Sequence, residues 1–360
     1  MRRLRSILSI LLVSGVVATA CGGGGDDSSV ANSTTAAPTT VVAPDPSESE
    51  PVIVEDLTWT TPTVAPADVG TVVQATTGEA YPMTIAYPAA EPPVEGWPIV
   101  VHFHGAELGT SLYELDQHLG DRAVVVAPRW APTAWSSQNL DALTAAEYAD
   151  GYWFDVAACG LAAAQDAAVE RGGDATRMTI VGFSGGVHPA ARTALGEARN
   201  DLCPDREPAA RPQAMIVGDS QFLFQGDNWD ETFADSASLA PDTVDRMLNP
   251  SRWSPRPVGF VVYLWTTDAT YWTRAIANPP AADSWITNRL PDGAALLEDL
   301  AAVGAFDDEK IMFGDNALLL QMRLESAGVP VLHEFFPTNH TYAPGVYERI
   351  SEIVFDGEFS

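Results

Sequence analysis

The residues best suited to covalent chemistry lie in Gly182-Phe183-Ser184-Gly185-Gly186, where the apolar run Met178-Thr179-Ile180-Val181 stops at a serine enclosed by glycines. A serine attacks a carbonyl when a base takes its proton, an acid orients that base, and amide donors receive the charge that develops on the carbonyl oxygen. Residues of each type are present. His340 stands in Pro337-Thr338-Asn339-His340-Thr341-Tyr342, and Asp219 and Asp268 each follow an apolar run. The Gly182-x-Ser184-x-Gly186 spacing fits a sharp turn between a strand and a helix, because a serine in a strained backbone position needs small neighbours.

Such groups need a scaffold, and the pattern around them supplies one. Thr71–Thr76 and Tyr81–Pro88 are β-rich and separated by Thr77-Gly78-Glu79, which predicts an antiparallel hairpin. Six further apolar runs follow, at Pro98–Phe103, Ala123–Pro128, Met178–Phe183, Ala214–Val217, Val258–Trp265 and Val329–Phe336. They are nearly continuous in apolar character, as strands buried on both faces of a parallel sheet are. Between them lie helix-compatible segments near Ser111–Leu119, Val156–Arg171, Ala190–Leu195 and Asp315–Ala327. A leading hairpin followed by strands alternating with helices predicts an α/β domain, its sheet mainly parallel, eight-stranded and covered by helices on both faces.

The serine motif and the order of elements together resemble the α/β-hydrolase family over nearly all of residues 70 to 357. The resemblance implies a chain order of serine, then acid, then histidine. Ser184 is then the nucleophile and His340, directly after the last strand, the general base. Asp268, in Thr266-Thr267-Asp268 past the penultimate strand, is the acid, with Asp219 in Val217-Gly218-Asp219-Ser220 as the alternative. Either aspartate could instead cap a turn. The oxyanion hole draws one donor from the Gly185 amide and another from His102-Phe103-His104-Gly105-Ala106-Glu107, which is similar to the family's His-Gly element. Gly105 lets the backbone turn so that Ala106 can donate, although Ala-Glu-Leu stands where lipases carry glycines. His104 is expected to support this loop, His188 to pack on the helix after the serine, and His333 to sit at a sheet face. Asp174-Ala175-Thr176-Arg177 looks like the Asp-x-x-Arg turn of esterase and peptidase members and is read as structural.

The N-terminus concerns location. Arg2, Arg3 and Arg5 precede an apolar core from Ile7 to Val17, too short to cross a bilayer, so residues 1–20 read as an export signal. Val17-Ala18-Thr19-Ala20-Cys21-Gly22 resembles the lipobox of bacterial lipoproteins, which implies lipidation of Cys21, such as by palmitate, and an extracytoplasmic protein anchored to the cell membrane. Plain cleavage after Ala20 would release a secreted form. Residues 21–57, rich in Gly, Ser, Thr, Ala, Pro and acids, read as a disordered linker spanning about 35 Å. The catalytic domain is 58–360.

The formal charge is -29, and losing the three leader arginines takes it to -32. Such a surface repels phosphates, so nucleic acid is excluded as a partner. Lys310 is the one lysine; salt adaptation and genome base composition both explain that. Cys159 and Cys203 read as a possible disulfide in an exported protein, with two buried thiols as the alternative. No metal and no cofactor is expected. Aromatic residues crowd 129–153, 218–257 and the segment after Asp268, including Trp130, Trp135, Trp229, Trp253, Trp272 and Trp285. They fit a cleft for a small-molecule or polymeric ester, or ordinary core packing. The resemblance implies a carboxylic-ester hydrolase; a serine peptidase of the same fold and a non-catalytic binding protein on this scaffold are the alternatives.

Overall fold

The computed structural model describes residues 72–76, 82–105, 110–129, 152–195, 209–218, 245–246, 248–253, 258–265, 286–288, 290–302, 304–305, 313–336, 342 and 344–356. Its strands are β1 (Val72–Thr76), β2 (Met83–Pro88), β3 (Trp97–Phe103), β4 (Val124–Pro128), β5 (Gly173–Phe183), β6 (Ala214–Gly218), β7 (Phe260–Trp265) and β8 (Val331–Phe335). They form one sheet in the order β1-β2-β4-β3-β5-β6-β7-β8. β1 and β2 pair antiparallel, as do β2 and β4, and every later pair is parallel. The crossover of β3 past β4, with β5, which ends before Ser184, beside β3, is the topology of the α/β-hydrolase fold.

Helices cover both faces because the strands are apolar on both. Ile99, Val101 and Phe103 of β3 join one core with residues of α2 (Tyr152–Val169), α3 (Val187–Leu195), α4 (Gly293–Ala302) and α5 (Phe313–Ser326). Val100, facing the other way, joins a second core with α1 (Leu115–Leu119) and α6 (Pro344–Asp356). This alternation is the two-residue period of a strand. Each buried aliphatic side chain contributes about 1.5–3 kcal/mol, so the central strands are the firmest part of the molecule.

Three boundaries differ from the sequence expectation by four residues or more. β5 begins at Gly173 rather than Met178, because the polar segment Gly173–Arg177 extends the strand and Gly173 pairs with Trp97. There Asp174 Oδ1 accepts from the Thr176 amide (2.9 Å) and hydroxyl (2.8 Å), while Arg177 donates to the Gly96 carbonyl (3.2 Å). The Asp-x-x-Arg turn thus ties β5 to the entry of β3. α2 starts at Tyr152, four residues earlier than read, and α1 is only Leu115–Leu119, because Tyr113 and Glu114 ahead of it take left-handed backbone (φ 52° and 64°).

Candidate active site

At the end of β5 the chain turns sharply. Phe183 is extended (φ -131°, ψ 141°), Ser184 is left-handed (φ 53°), and a short 3-10 turn through Gly186 leads into α3. Left-handed backbone costs a residue with a Cβ about 1–2 kcal/mol, so packing must impose it.

The packing that imposes it also explains the glycines. A Cβ on Gly182 would stand 2.5 Å from the Gly186 carbonyl oxygen and 2.6 Å from the Ala190 Cβ. A Cβ on Gly186 would overlap the Phe103 carbonyl oxygen at the end of β3. From the other side Gly105 closes down, where an added Cβ would lie 3.1 Å from the Ser184 Cβ and 3.5 Å from its Oγ. Phe103 pairs with Gly182, so the His104-Gly105 segment runs on beside Phe183 and Ser184. Gly182 and Gly186 therefore let the turn pack tightly on itself and on Phe103, while Gly105 lets the end of β3 come against the Ser184 side chain. That is the arrangement in which a serine can attack a bound carbonyl next to backbone donors.

Beneath the serine, on the α1/α6 face, lies a cluster of rings. Tyr342 is buried, its ring centroid 4.5 Å from Phe183, 5.3 Å from Tyr113 and 5.4 Å from Tyr347. Tyr113 also meets His104 at 5.4 Å and Phe183 at 6.4 Å. His102, on β3 and 1% exposed, faces the same cluster, with its Nδ1 3.0 Å from the Ser111 carbonyl oxygen. Burial lowers its pKa to about 3, against which the bond to Ser111 works and with which the neighbouring His104 adds. The imidazole is therefore neutral. Tyr347 donates its hydroxyl to the Tyr113 carbonyl (2.8 Å), and burial, then the nearby Glu114, raises its pKa. Beside this cluster an open, polar hollow of about 440 Å³ is lined by Thr84, Thr110, Ser111, Tyr113 and Glu114 among others.

Of the residues expected to do chemistry, the structure brings Ser184, Gly185 and Gly105 together at the elbow, and His104 packs beside them. Ala106, Asp219, Asp268, His340, Cys21 and Cys203 lie outside the described residues, as does the side chain of His188. The strand ends that precede them are described. Phe183 pairs with Gly218, one residue before Asp219; Gly218 pairs with Leu264, four before Asp268; and Trp265 pairs with Phe335, five before His340. His333 is half-buried on β8, its Nε2 3.0 Å from Gln321 Oε1, and burial lowers its pKa to about 3. It belongs to packing against α5. Of the aromatic residues expected near a cleft, Trp253 is buried in the core and Trp130, Trp135, Trp229, Trp272 and Trp285 lie outside the described residues. Among the described residues no group of His, Cys, Asp or Glu could hold a metal ion, and no helix is long and apolar enough to cross a membrane.

Sequence reasoning missed His102, Tyr113, Tyr342 and Tyr347. One signal was available: a histidine inside an otherwise apolar buried strand needs a partner. The tyrosines carried none, because their meeting joins positions more than 200 residues apart.

No protein-family model matches the sequence, and no curated protein matches it. Solved structures do. A thermophilic esterase from the Planctomycetes species Thermogutta terrifontis is 12% identical at a TM-score of 0.46, covering 81% of this chain and 95% of its own. Carboxyl esterase 2 from the mycorrhizal fungus Tuber melanosporum is 13% identical (TM-score 0.42), covering 83% and 88%. Dipeptidyl peptidase 4 from Porphyromonas gingivalis is 13% identical (TM-score 0.45), covering 80% of this chain and 36% of its own.

Proposed function

We propose that the chain is a serine hydrolase that cleaves a carboxylic ester through an acyl-enzyme on Ser184. The observation that carries this reading is the left-handed Ser184 at the carboxyl end of a central parallel strand, enclosed by Gly182, Gly186 and Gly105. Gly182 and Gly186 let the turn close on itself and on the end of β3, and Gly105 brings a second backbone against the Ser184 side chain.

In this reading His340 takes the Oγ proton as Ser184 attacks the ester carbonyl carbon. The amides of Gly185 and Ala106 receive the oxyanion, and collapse of the tetrahedral intermediate expels the alcohol, which leaves with the proton from His340. Water then attacks the acyl-enzyme, giving its proton to His340, and the freed acid leaves Ser184 as the hydroxyl is reprotonated. Asp268 holds the imidazole and supports its charged form. The position of Tyr342 supports His340 as base. Tyr342, two residues after His340 in sequence, has its ring centroid 4.5 Å from that of Phe183. β7 is the strand next to β8, which supports Asp268 over Asp219, since the acid must meet a histidine carried past β8.

The test is hydrolysis of short-chain nitrophenyl esters. Wild type should turn over, Ser184→Ala should lose at least about 10³-fold in kcat, and a fluorophosphonate should label Ser184. Failure to hydrolyse any ester in a panel, with Ser184 unlabelled, would overturn the reading; cleavage of amides alone would move it to a peptidase. A larger loss from Asp219→Asn than from Asp268→Asn would transfer the role of acid.

The same reading extends to location. Residues 1–20 are a lipoprotein signal, Cys21 carries the lipid, and residues 21–57 tether the catalytic domain outside the cytoplasm. Cys21→Ser should release the protein from the membrane fraction, and unchanged fractionation would refute the anchor. A Cys159–Cys203 bridge fits an exported protein, and Cys159 is buried on α2. Mass spectrometry of the unreduced chain decides it.

A further inference from the structure

The open hollow of about 440 Å³ beside the ring cluster has a lining that no step of the hydrolysis uses. Thr84 of β2 forms one side, and the stretch from Thr110 to Gln117, running into α1, forms the rest. That stretch is firmly held. Thr84 donates its hydroxyl to Thr110 (2.9 Å), His102 Nδ1 lies 3.0 Å from the Ser111 carbonyl oxygen, the Tyr113 amide donates to Ser111 Oγ (3.2 Å), and Tyr347 donates to the Tyr113 carbonyl (2.8 Å). Under these restraints Tyr113 and Glu114 both keep a left-handed backbone that neither favours alone. The walls of the hollow are thus fixed before anything enters, which lowers the cost of binding.

The chemistry of the lining selects a class of ligand. The side chains of Glu114, Asp116 and Gln117 make no hydrogen bond or ion pair with another described residue, although Asp116 is half-buried. Two carboxylates accept, the Gln117 amide donates and accepts, and the Ser111 hydroxyl, which accepts from the Tyr113 amide, keeps its own proton to donate. The half-buried Tyr113 ring adds a flat apolar face. A pocket for an acyl chain is enclosed and mostly apolar, whereas this hollow is open and polar. Anions are repelled by two carboxylates in a chain of formal charge -29. A small cation would use the carboxylates and leave the hydroxyl, amide and ring idle. A neutral ligand bearing many hydroxyl groups engages all of them.

The sheet relates this hollow to the serine. Thr84 pairs with Ala127, Val126 with Val101 and His102 with Val181, so Thr84 stands level with Val181, near the carboxyl end of β5. Three strand spacings of about 4.8 Å separate β2 from β5, which puts the far wall on the order of 15 Å from Ser184. The near wall is closer, with the Tyr113 ring centroid 6.4 Å from that of Phe183, the residue before Ser184. A short oligosaccharide bridges that span and a simple alkyl alcohol does not. We infer that the hollow binds a neutral oligosaccharide, and that this sugar is the alcohol part of the ester cleaved at Ser184. A neutral sugar carries hydroxyl groups and no carboxyl, so it enters an ester as the alcohol; hydrolysis consumes one water and returns the sugar hydroxyl and the free acid. The assignment to the ester rests on the serine-hydrolase reading; the binding of sugar does not.

The experiment uses full-length protein with xylotetraose, cellotetraose and maltotetraose, bare and O-acetylated. Calorimetry with the bare sugars should give a Kd of about 1 mM or tighter for at least one of them, unchanged between ~0.05 and ~0.5 M NaCl because the ligand carries no charge. Asp116→Ala, Gln117→Ala and Glu114→Gly, the last supplying glycine where the backbone is left-handed, should each weaken that binding by about fivefold. The ratio of kcat/KM for the O-acetylated sugar to kcat/KM for 4-nitrophenyl acetate should fall by about the same factor in each. Melting temperatures read in parallel show that the variants are folded, and the exposed positions Glu114 and Gln117 decide should Asp116→Ala not fold. Binding of none of the three sugars would overturn the inference, as would sugar binding that no variant weakens, or binding of choline in place of sugar. Wild type that hydrolyses nitrophenyl esters and labels at Ser184 but binds no sugar sinks the inference alone. Sugar binding that the variants weaken, in a chain that neither turns over an ester nor labels at Ser184, sinks the hydrolase reading and the assignment to the ester, and upholds the sugar site.

Discussion

β5, which ends at Ser184, and β8, which leads towards His340, are held in opposite ways. The apolar part of β5, from Met178 to Phe183, is buried throughout, and its end is set by contacts that leave no room for one more carbon. β8 is an edge strand, half-buried from Val331 to Glu334, and its restraints are polar. Glu334 takes a bidentate bond from Arg349 of α6 (2.7–2.9 Å), which also reaches Glu352 at 3.0 Å, and His333 meets Gln321 of α5. The end of β5 is placed by exclusion and β8 by polar and charged partners. The first should tolerate no added atom, and the second no lost partner.

The sharpest way to break this contrast is Gly186→Ala. Its Cβ would displace the Phe103 carbonyl, so the elbow must shift; ester turnover should fall by at least about 10²-fold and stability by about 3 kcal/mol, read by kinetics and urea unfolding. An alanine accepted with full activity would show that the elbow is not set by exclusion. On the edge, Arg349→Met leaves Glu334, largely buried, without its partner. A loss of about 3 kcal/mol is expected, and Glu334→Gln in the same background should recover part of it.

Acid should act on both regions alike. His102 and His333 both have pKa values lowered by burial from 6.5 to about 3. The unfolded chain therefore binds their protons first. Their contribution is fully present above pH 6.5 and is lost as pH falls from 6.5 towards 3. His102→Asn and His333→Gln should therefore each flatten the decline in stability between about pH 7 and 4, and by similar amounts. Denaturant unfolding across that range provides the check, and a flattening by only one of the two would separate centre from edge. The smallest effect belongs at the far end of β5. Thr176→Val removes one solvent-facing bond to Asp174 and should cost about 0.5–1 kcal/mol, with turnover unchanged.

Much of this was legible in the linear chain because its causes are local. Six of the eight strands announce themselves as short apolar runs, and β1 and β2 as β-rich runs on either side of a glycine turn. The Gly182-x-Ser184-x-Gly186 spacing announces the turn. The boundaries that were misread have non-local causes: Gly173–Arg177 is polar, and it is strand only because Trp97 and Gly96 offer partners across the sheet.

The sequence by itself determined the periodicities, the small residues around Ser184 and the order of the groups along the chain, because each of these depends on neighbours a few positions away. Tertiary structure alone decided that β3 lies between β4 and β5, that the Phe103 carbonyl is what forbids a side chain at Gly186, and that His102, Tyr113, Tyr342 and Tyr347 meet beneath the serine. Those facts depend on which distant segments share a face of the sheet. Left-handed Tyr113 and Glu114 illustrate the reason: no local preference selects that backbone, and bonds from β2, β3 and α6 help to sustain it.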